Sequence, residues 1–337
     1  MALTNGTSHQ QLGGPILRSV SRSFYISVRL LPRRLREPVG LAYLLARATD
    51  TLADTVHVPA ELRRAALHAL AAAIQGKGSA DALRDLPKSF APLQKNEAER
   101  NLIELVPQCL AGLSQLGAED GEDVRVVLGK IVRAQTMDID RFADTTAPRA
   151  LANAADLEEY TYLIAGCVGE FWTHLCFRHL GDFAGLSREE MLTLGKEYGR
   201  GLQLINILRD AGGDLQAGRC YFPADELRSV GLEPARILAQ PEQFTPVYEK
   251  WQKEAERGLG AGMQYVGAIR DRRVRAATAL PALIGARTLA LLHAAGVGAL
   301  RQKIKVPRAE VRRMIASVAL TLGSRRMLEE MFRKSLL

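Results

Sequence analysis

Between Pro148 and Pro223 the chain runs for 74 residues without a proline. There, as along most of the chain, Ala, Leu, Arg and Glu recur at helical spacing. Period-2 alternation of β-branched residues between turn clusters, the mark of half-buried strands, is almost absent. A chain patterned in this way buries its apolar residues by packing helix on helix, so an all-α fold is expected. The periodicity places helices near 15–31, 38–56, 59–75, 93–115, 120–145, 156–180, 187–215, 243–269, 272–296 and 307–333. No repeat period and no Ser/Gly-rich linker divides the sequence. Residues 15–337 are therefore expected to form a single helical domain after a flexible, polar N-terminus over 1–14. The stretch Gly76–Pro92 is expected to be a surface loop.

Composition narrows the function classes. With 337 residues, 47% hydrophobic and 24% charged, the chain can bury a sizeable core, and disorder and fibrous repeats are excluded. Cys109, Cys167, Cys176 and Cys220 form no CxxC pair, which speaks against a disulfide framework or structural zinc and for a reducing compartment. The opening MALTNGTSHQQLGG lacks the apolar stretch of a signal peptide. The most apolar segment, 276–300, is interrupted by Pro281, Arg287 and His293, so no membrane span is expected. A cytoplasmic location is expected, with peripheral contact at the inner face of a membrane. The net charge of +8 suits nucleic acid, an anionic membrane surface or an anionic substrate. Aromatics are only 6%, and no basic motif is interleaved with them, so nucleic acid is not expected as a partner. The other two readings remain open on composition.

Two segments carry acids on an apolar body. In PVGLAYLLARATDTLADT, Tyr43, Arg47, Asp50 and Asp54 fall at offsets 0, 4, 7 and 11, one stripe of a helix. In GLQLINILRDAGGD, Gln203, Asn206, Asp210 and Asp214 fall at 0, 3, 7 and 11. A polar stripe is often only the solvent face of a helix, and the same D-x-x-x-D spacing occurs at Asp81/Asp85 and Asp140/Asp144. Those two pairs, however, sit among mixed polar residues, whereas the segments around Asp50 and Asp210 are apolar on most of their circumference. Carboxylates on an inner helix need partners. Two of them one turn apart offer hard oxygen ligands to magnesium, which binds through a few carboxylates while bridging substrate phosphates.

At these residues the sequence resembles the squalene/phytoene synthase family, head-to-head prenyl transferases of the all-α isoprenoid synthase fold built around a central apolar cavity. The likeness runs from Ser21 to about Met314. SRSF at Ser21–Phe24 is similar to the family's substrate-flap motif, YLLARATDTLAD at Tyr43–Asp54 to its first aspartate-rich motif, and YTYLIAGCVG at Tyr160–Gly169 to its central motif. QLINILRDAGGDLQAGRCYFP at Gln203–Pro223 resembles the second aspartate-rich motif with its Gly-Arg-x-Tyr/Phe-x-Pro tail. Within the family, Asp50-Thr51-Leu52 is of the squalene-forming type, and QKIKVPRAEVRRMI at Gln302–Ile315 resembles a segment implicated in NADPH binding. Arg275 and Ala277 depart from the pattern, standing where relatives carry aromatics. Ala53 and Thr55 replace further acids, and Gly212 and Gly213 lie between the two aspartates of the second motif.

The resemblance implies a squalene-forming enzyme that condenses two farnesyl diphosphates to presqualene diphosphate and reduces it with NADPH. It makes Asp50, Asp54, Asn206, Asp210 and Asp214 the magnesium ligands. Ser21, Arg22, Ser23, Phe24, Arg47, Gln203, Asn206, Arg209, Arg219, Ile164 and Val168 become substrate contacts. Tyr43 and Tyr160 are proton-transfer or cation-steering groups, and Lys303 and Lys305 hold the NADPH phosphates. Each arginine has a salt-bridge alternative, each tyrosine a packing alternative, and the lysines a basic surface turn. Ala165, Gly166 and Gly169 either leave room for an isoprenoid chain or let helices pack closely. A phytoene or dehydrosqualene synthase would condense without reducing, a terpene cyclase would ionise a single substrate, and a non-catalytic helical protein at a membrane would release no diphosphate. The sequence does not indicate an oligomeric state.

Overall fold

The computed structural model describes residues 12–21, 23–78, 80–143, 147–321 and 323–336 and is helical almost throughout. Most of the expected N-terminal tail, together with Arg22 and Asp144, lies outside the described residues. The chain divides into two compact units, one made of 1–143 with 174–179 and the other of 144–173 with 180–337.

In the first unit a π-helical turn, Leu12–Ile16, leads into α1 (Leu17–Ser21), followed by α2 (Ser23–Leu30), α3 (Arg33–Ala53), α4 (Ala60–Ile74), α5 (Ala80–Phe90), α6 (Glu97–Glu104), α7 (Val106–Gln115) and α8 (Ala118–Phe142). Helix α3 is the inner helix, packed on α4, α7 and α8, with Leu44, Leu45, Ala48 and Leu52 inaccessible to solvent. Two expectations are corrected here. The loop expected over 76–92 contains a helix, α5, because Leu86 and Phe90, one turn apart, turn inward despite the intervening Pro87. The helix expected over 93–115 is two, because Pro107 in the first turn of α7 lacks the N–H that would continue the ladder.

The second unit begins with β1 (Arg149–Leu151) and continues through α9 (Ala154–Thr161), a π-helical turn at Tyr162–Gly166, α10 (Cys167–His179, of which 174–179 group with the first unit), α11 (Arg188–Gln216), β2 (Arg219–Pro223), α12 (Ala224–Ser229), α13 (Pro241–Ala268), α14 (Arg272–Ala295), α15 (Arg308–Leu320) and α16 (Arg325–Ser335). The short strands, which carry no alternation in sequence, pair in parallel, with Arg149 opposite Arg219 and Ala150 opposite Cys220. The helix expected over 307–333 is broken into α15 and α16. Gly323 there has φ +67°, and an added Cβ would meet the Arg272 carbonyl oxygen at 2.4 Å.

Helix α11 lies along α13 and α14 and against the π turn. Its approach to its neighbours is close enough to exclude side chains. A Cβ on Gly169 would lie 1.9 Å from the Gly195 carbonyl oxygen, and one on Gly199 would lie 2.1 Å from that of Ala165. The small residues of the central motif therefore serve close helix packing. Helix α14, with its continuation to Leu300, is long and apolar enough to cross a bilayer by length and composition, but half of its most apolar window is buried inside the protein. Arg275 on α14 is buried. It donates to the carbonyls of Ile269 (2.8 Å), Arg270 (3.0 Å) and Gly323 (2.8 Å), tying the turns before α14 and α16 together.

The two glycines between Asp210 and Asp214 differ in role. A Cβ on Gly212 would lie 2.0 Å from the Leu300 carbonyl oxygen, whereas one on Gly213 would meet nothing within 4 Å. Gly212→Ala is expected to destabilise the protein by about 1–3 kcal/mol. Gly213→Ala is expected to stabilise it by about 0.5–1 kcal/mol through helix propensity. Urea denaturation of both variants checks the sign of each.

Candidate functional site

Over 41–54 helix α3 is buried along Leu41, Leu44, Leu45, Ala48 and Leu52, and Tyr43, Arg47, Asp50 and Asp54 lie on the more open side. The Tyr43 ring stacks on Phe24 with centroids 4.6 Å apart, and its hydroxyl donates to the Val20 carbonyl at 3.3 Å. Burial, foremost, raises the Tyr43 pKa; the Arg47 charge opposes the rise and the Asp50 charge adds to it. Arg47 donates one Nη to the Asp50 carboxylate and the other to Glu99 Oε1 on α6 at 2.6 Å. Asp54 caps the C-terminus of α3, its N–H donating to the Asp50 carbonyl at 2.9 Å, and its side chain is exposed.

Asp50 is the electrostatically loaded group of this stripe. Burial, then the charge of Asp54, push its carboxyl up to about 6; Arg47 pulls the other way, and Glu99 adds to the rise. The side chain nevertheless keeps 40% of its surface open. A ligand can therefore approach it, and solvent screening limits the energy at stake.

On α11 the apolar positions Leu204, Ile205, Ile207 and Leu208 are buried, and Gln203, Asn206, Asp210 and Asp214 lie on the more open side. Asn206 Nδ2 donates to Gln203 Oε1 at 3.2 Å. Arg209 grips Asp210 through two contacts, Nε to Oδ1 at 3.0 Å and Nη2 to Oδ2 at 2.5 Å. Arg219, carried by β2, donates to Asp214 Oδ1 at 2.9 Å. Asp210 is held by both prongs of a guanidinium fork and Asp214 by one guanidinium nitrogen, groups of the kind that also suit phosphate oxygens.

Tyr160 on α9 is buried and stacks on Tyr221 of β2, with ring centroids 4.9 Å and hydroxyl oxygens 3.5 Å apart. Ile164, in the π turn, is half-buried, and Val168 at the start of α10 is exposed. Ser21 is buried, with its hydroxyl turned back onto the Leu17 carbonyl. Arg22 and the side chain of Ser23 lie outside the described residues. Lys303 and Lys305 are exposed in the irregular stretch before α15. Two participants escaped the sequence reading. Tyr221 stands inside the Gly-Arg-x-Tyr/Phe-x-Pro tail and could have been taken from it. Glu99 has no signal, because it joins Arg47 only through the packing of α6 beside α3.

The family model for squalene/phytoene synthases matches residues 17–310. The chain belongs to this family. A presqualene diphosphate synthase from Sinorhizobium fredii is 28% identical over 310 residues, 90% of this chain and 95% of that protein. A bifunctional lycopene cyclase/phytoene synthase from Colletotrichum graminicola is 27% identical over 259 residues, 76% of this chain. This chain spans 40% of that bifunctional relative's length. Among solved structures, TcSQS in complex with a ligand superimposes with a TM-score of 0.74 at 20% identity, covering 98% of this chain and 90% of its own. The shared all-α isoprenoid synthase fold is thereby established.

The raised Asp50 pKa carries a stability consequence. An aspartate titrates near 3.9 in an unfolded chain and at about 6 here. The folded state thus holds the proton more tightly, and stability from this group falls as pH rises through that window. Asp50→Asn removes the titration. Without divalent metal, the difference in Tm between variant and wild type is expected to be more positive at pH 8 than at pH 4. An unchanged difference in thermal denaturation at the two pH values would mean that Asp50 is not crowded.

Proposed function

We propose that the protein joins two farnesyl diphosphates head to head to give presqualene diphosphate. The observation that carries this reading is the pair of acid stripes. Each lies on the open side of an otherwise buried helix, and each has a guanidinium against its first aspartate, so that each can receive one diphosphate. The near-full-length likeness to a presqualene diphosphate synthase supports the same product.

The donor chemistry fits magnesium. Among the described residues no cluster of three or more acidic or other metal-ligating side chains is assembled. Asp50 with Asp54, and Asp210 with Asp214 and Asn206, instead offer the one or two carboxylates per site that magnesium takes when substrate phosphates complete its shell. Burial, and after it the negative charge of Asp54, push the Asp50 carboxyl up, and a divalent cation would favour its charged form. When bound, the metal neutralises the departing diphosphate.

The chain's own residues supply the rest. Arg47, Arg209 and Arg219, released from their carboxylates, contact diphosphate oxygens, and Gln203 orients Asn206. Loss of diphosphate from one substrate leaves an allylic cation, which the double bond of the other attacks; proton loss then closes presqualene diphosphate. Tyr43 stays protonated and steers charge through its ring face, with Phe24 stacked behind it. Tyr160, backed by Tyr221, does the same in the second unit, while Ile164 and Val168 contact the prenyl chain.

A second reading adds NADPH reduction to squalene. It is favoured by Asp50-Thr51-Leu52 and by the exposed Lys303 and Lys305. It is opposed by Arg275, which occupies the place of an aromatic with a buried structural role.

Asp50→Ala and Asp210→Ala are each expected to lower diphosphate release from farnesyl diphosphate and magnesium by about a hundredfold or more, with helicity unchanged by circular dichroism. Asp140→Ala is expected to stay near wild type, because Asp140 is an exposed partner of Arg64 at 2.7 Å. Near-wild-type release from either folded variant would overturn the reading. Product analysis without NADPH is expected to give presqualene diphosphate. Squalene appearing only with NADPH, and lost in Lys303→Ala/Lys305→Ala, would establish the second reading.

A further inference from the structure

The net charge is concentrated at one end of the chain. Residues 301–337 contain ten Lys and Arg against three Glu, so seven of the eight net positive charges fall within them and the preceding three hundred residues are close to neutral. The structure sorts these charges further. On α15, Met314 and Val318 turn inward, and the helix packs on α14. Its single acid, Glu310, is engaged from α14 by Arg287 at 2.8 Å. The outer positions Arg308, Arg312, Ala316 and Leu320 are exposed at i, i+4 spacing, with Arg313 exposed beside them, and Lys303 and Lys305 are exposed just before them. Leu320, at the far end of this basic stripe, is 84% exposed, the highest value among the exposed large apolar side chains.

A stripe of basic residues without an acid, ending in a bare leucine, has two physical demands. The charges attract a polyanionic surface, and the leucine gains only if that surface also has an apolar interior. Nucleic acid meets the first demand alone. Moreover, the one aromatic in 301–337, Phe332, is partly buried, so no ring is presented for base stacking. We propose that the outer face of α15, with the segment that leads into it, docks on an anionic lipid bilayer, the arginines lying on the headgroups and Leu320 entering the acyl boundary. The inference rests on charge and exposure and is independent of the reaction assigned above. A bound enzyme would meet water-insoluble prenyl chains where they partition.

The test is co-sedimentation of the full chain with vesicles of phosphatidylcholine alone and of phosphatidylcholine with phosphatidylglycerol. Binding is expected only to the anionic vesicles and is expected to weaken as salt rises. The triple variant Arg308→Glu/Arg312→Glu/Arg313→Glu should lose affinity on the order of a hundredfold. Leu320→Asp should weaken binding and reduce the part that survives high salt. A control triple, Lys77→Glu/Lys95→Glu/Lys253→Glu, makes the same change in net charge at exposed sites elsewhere and should lose much less. Diphosphate release from detergent-dispersed farnesyl diphosphate should be unaffected in the α15 variants, which separates this inference from the catalytic reading. Equal binding to purely zwitterionic vesicles, or equal losses in the two triples, would overturn the proposal. So would wild-type capture of a polyribonucleotide without any vesicle binding, which would give the stripe to nucleic acid.

Discussion

The close seating of α11 among its neighbours is the constraint on which the second unit depends. At Gly199 and Gly212, carbonyl oxygens of the adjoining segments stand where a side chain would begin. Contacts this close bury the apolar sides of the helix and leave one side open, and Gln203, Asn206, Asp210 and Asp214 occupy that side. Helix α3 reaches the same result in the first unit by conventional means, with leucines and alanines filling three sides and the polar stripe remaining. In both cases the acids are left by the packing of everything around them.

Once a stripe is all that remains open, its charges must be balanced locally. Asp50 leans on Arg47, Asp210 on Arg209 and Asp214 on Arg219. Each pair sets a guanidinium directly against a carboxylate on the open stripe. Asp50 shows the tension most clearly, since burial, and then the charge of Asp54, push its carboxyl up against the pull of Arg47.

Arg275 illustrates the opposite use of a cation. Three backbone carbonyls surround its guanidinium, and burial followed by the charges of Arg325 and Arg272 lowers its pKa. That arrangement holds two turns in place and gives the residue nothing to do at a ligand. The arginines of α15 differ again, since Arg308, Arg312 and Arg313 are all exposed to solvent.

The helical class, the two acid stripes and the family blocks were all legible in the sequence, because helix periodicity and short motifs are local and survive without knowledge of packing. The incidental D-x-x-x-D at Asp140 was likewise separable from its polar neighbourhood. What the sequence could not determine were relations between segments distant in the chain. The carboxylate of Glu99 meets Arg47 across 52 positions, and the parallel pairing of β1 with β2 rests on residues with no alternation. The helix at Ala80–Phe90 holds despite Pro87 because Leu86 and Phe90 find a core to enter, and Gly212 is required only because Leu300 arrives beside it. Local propensity gives each segment its preference. Only tertiary packing decides which atoms of distant segments share the same few ångströms, and it is there that ion pairs form, close contacts exclude side chains, and the pKa of Asp50 is displaced.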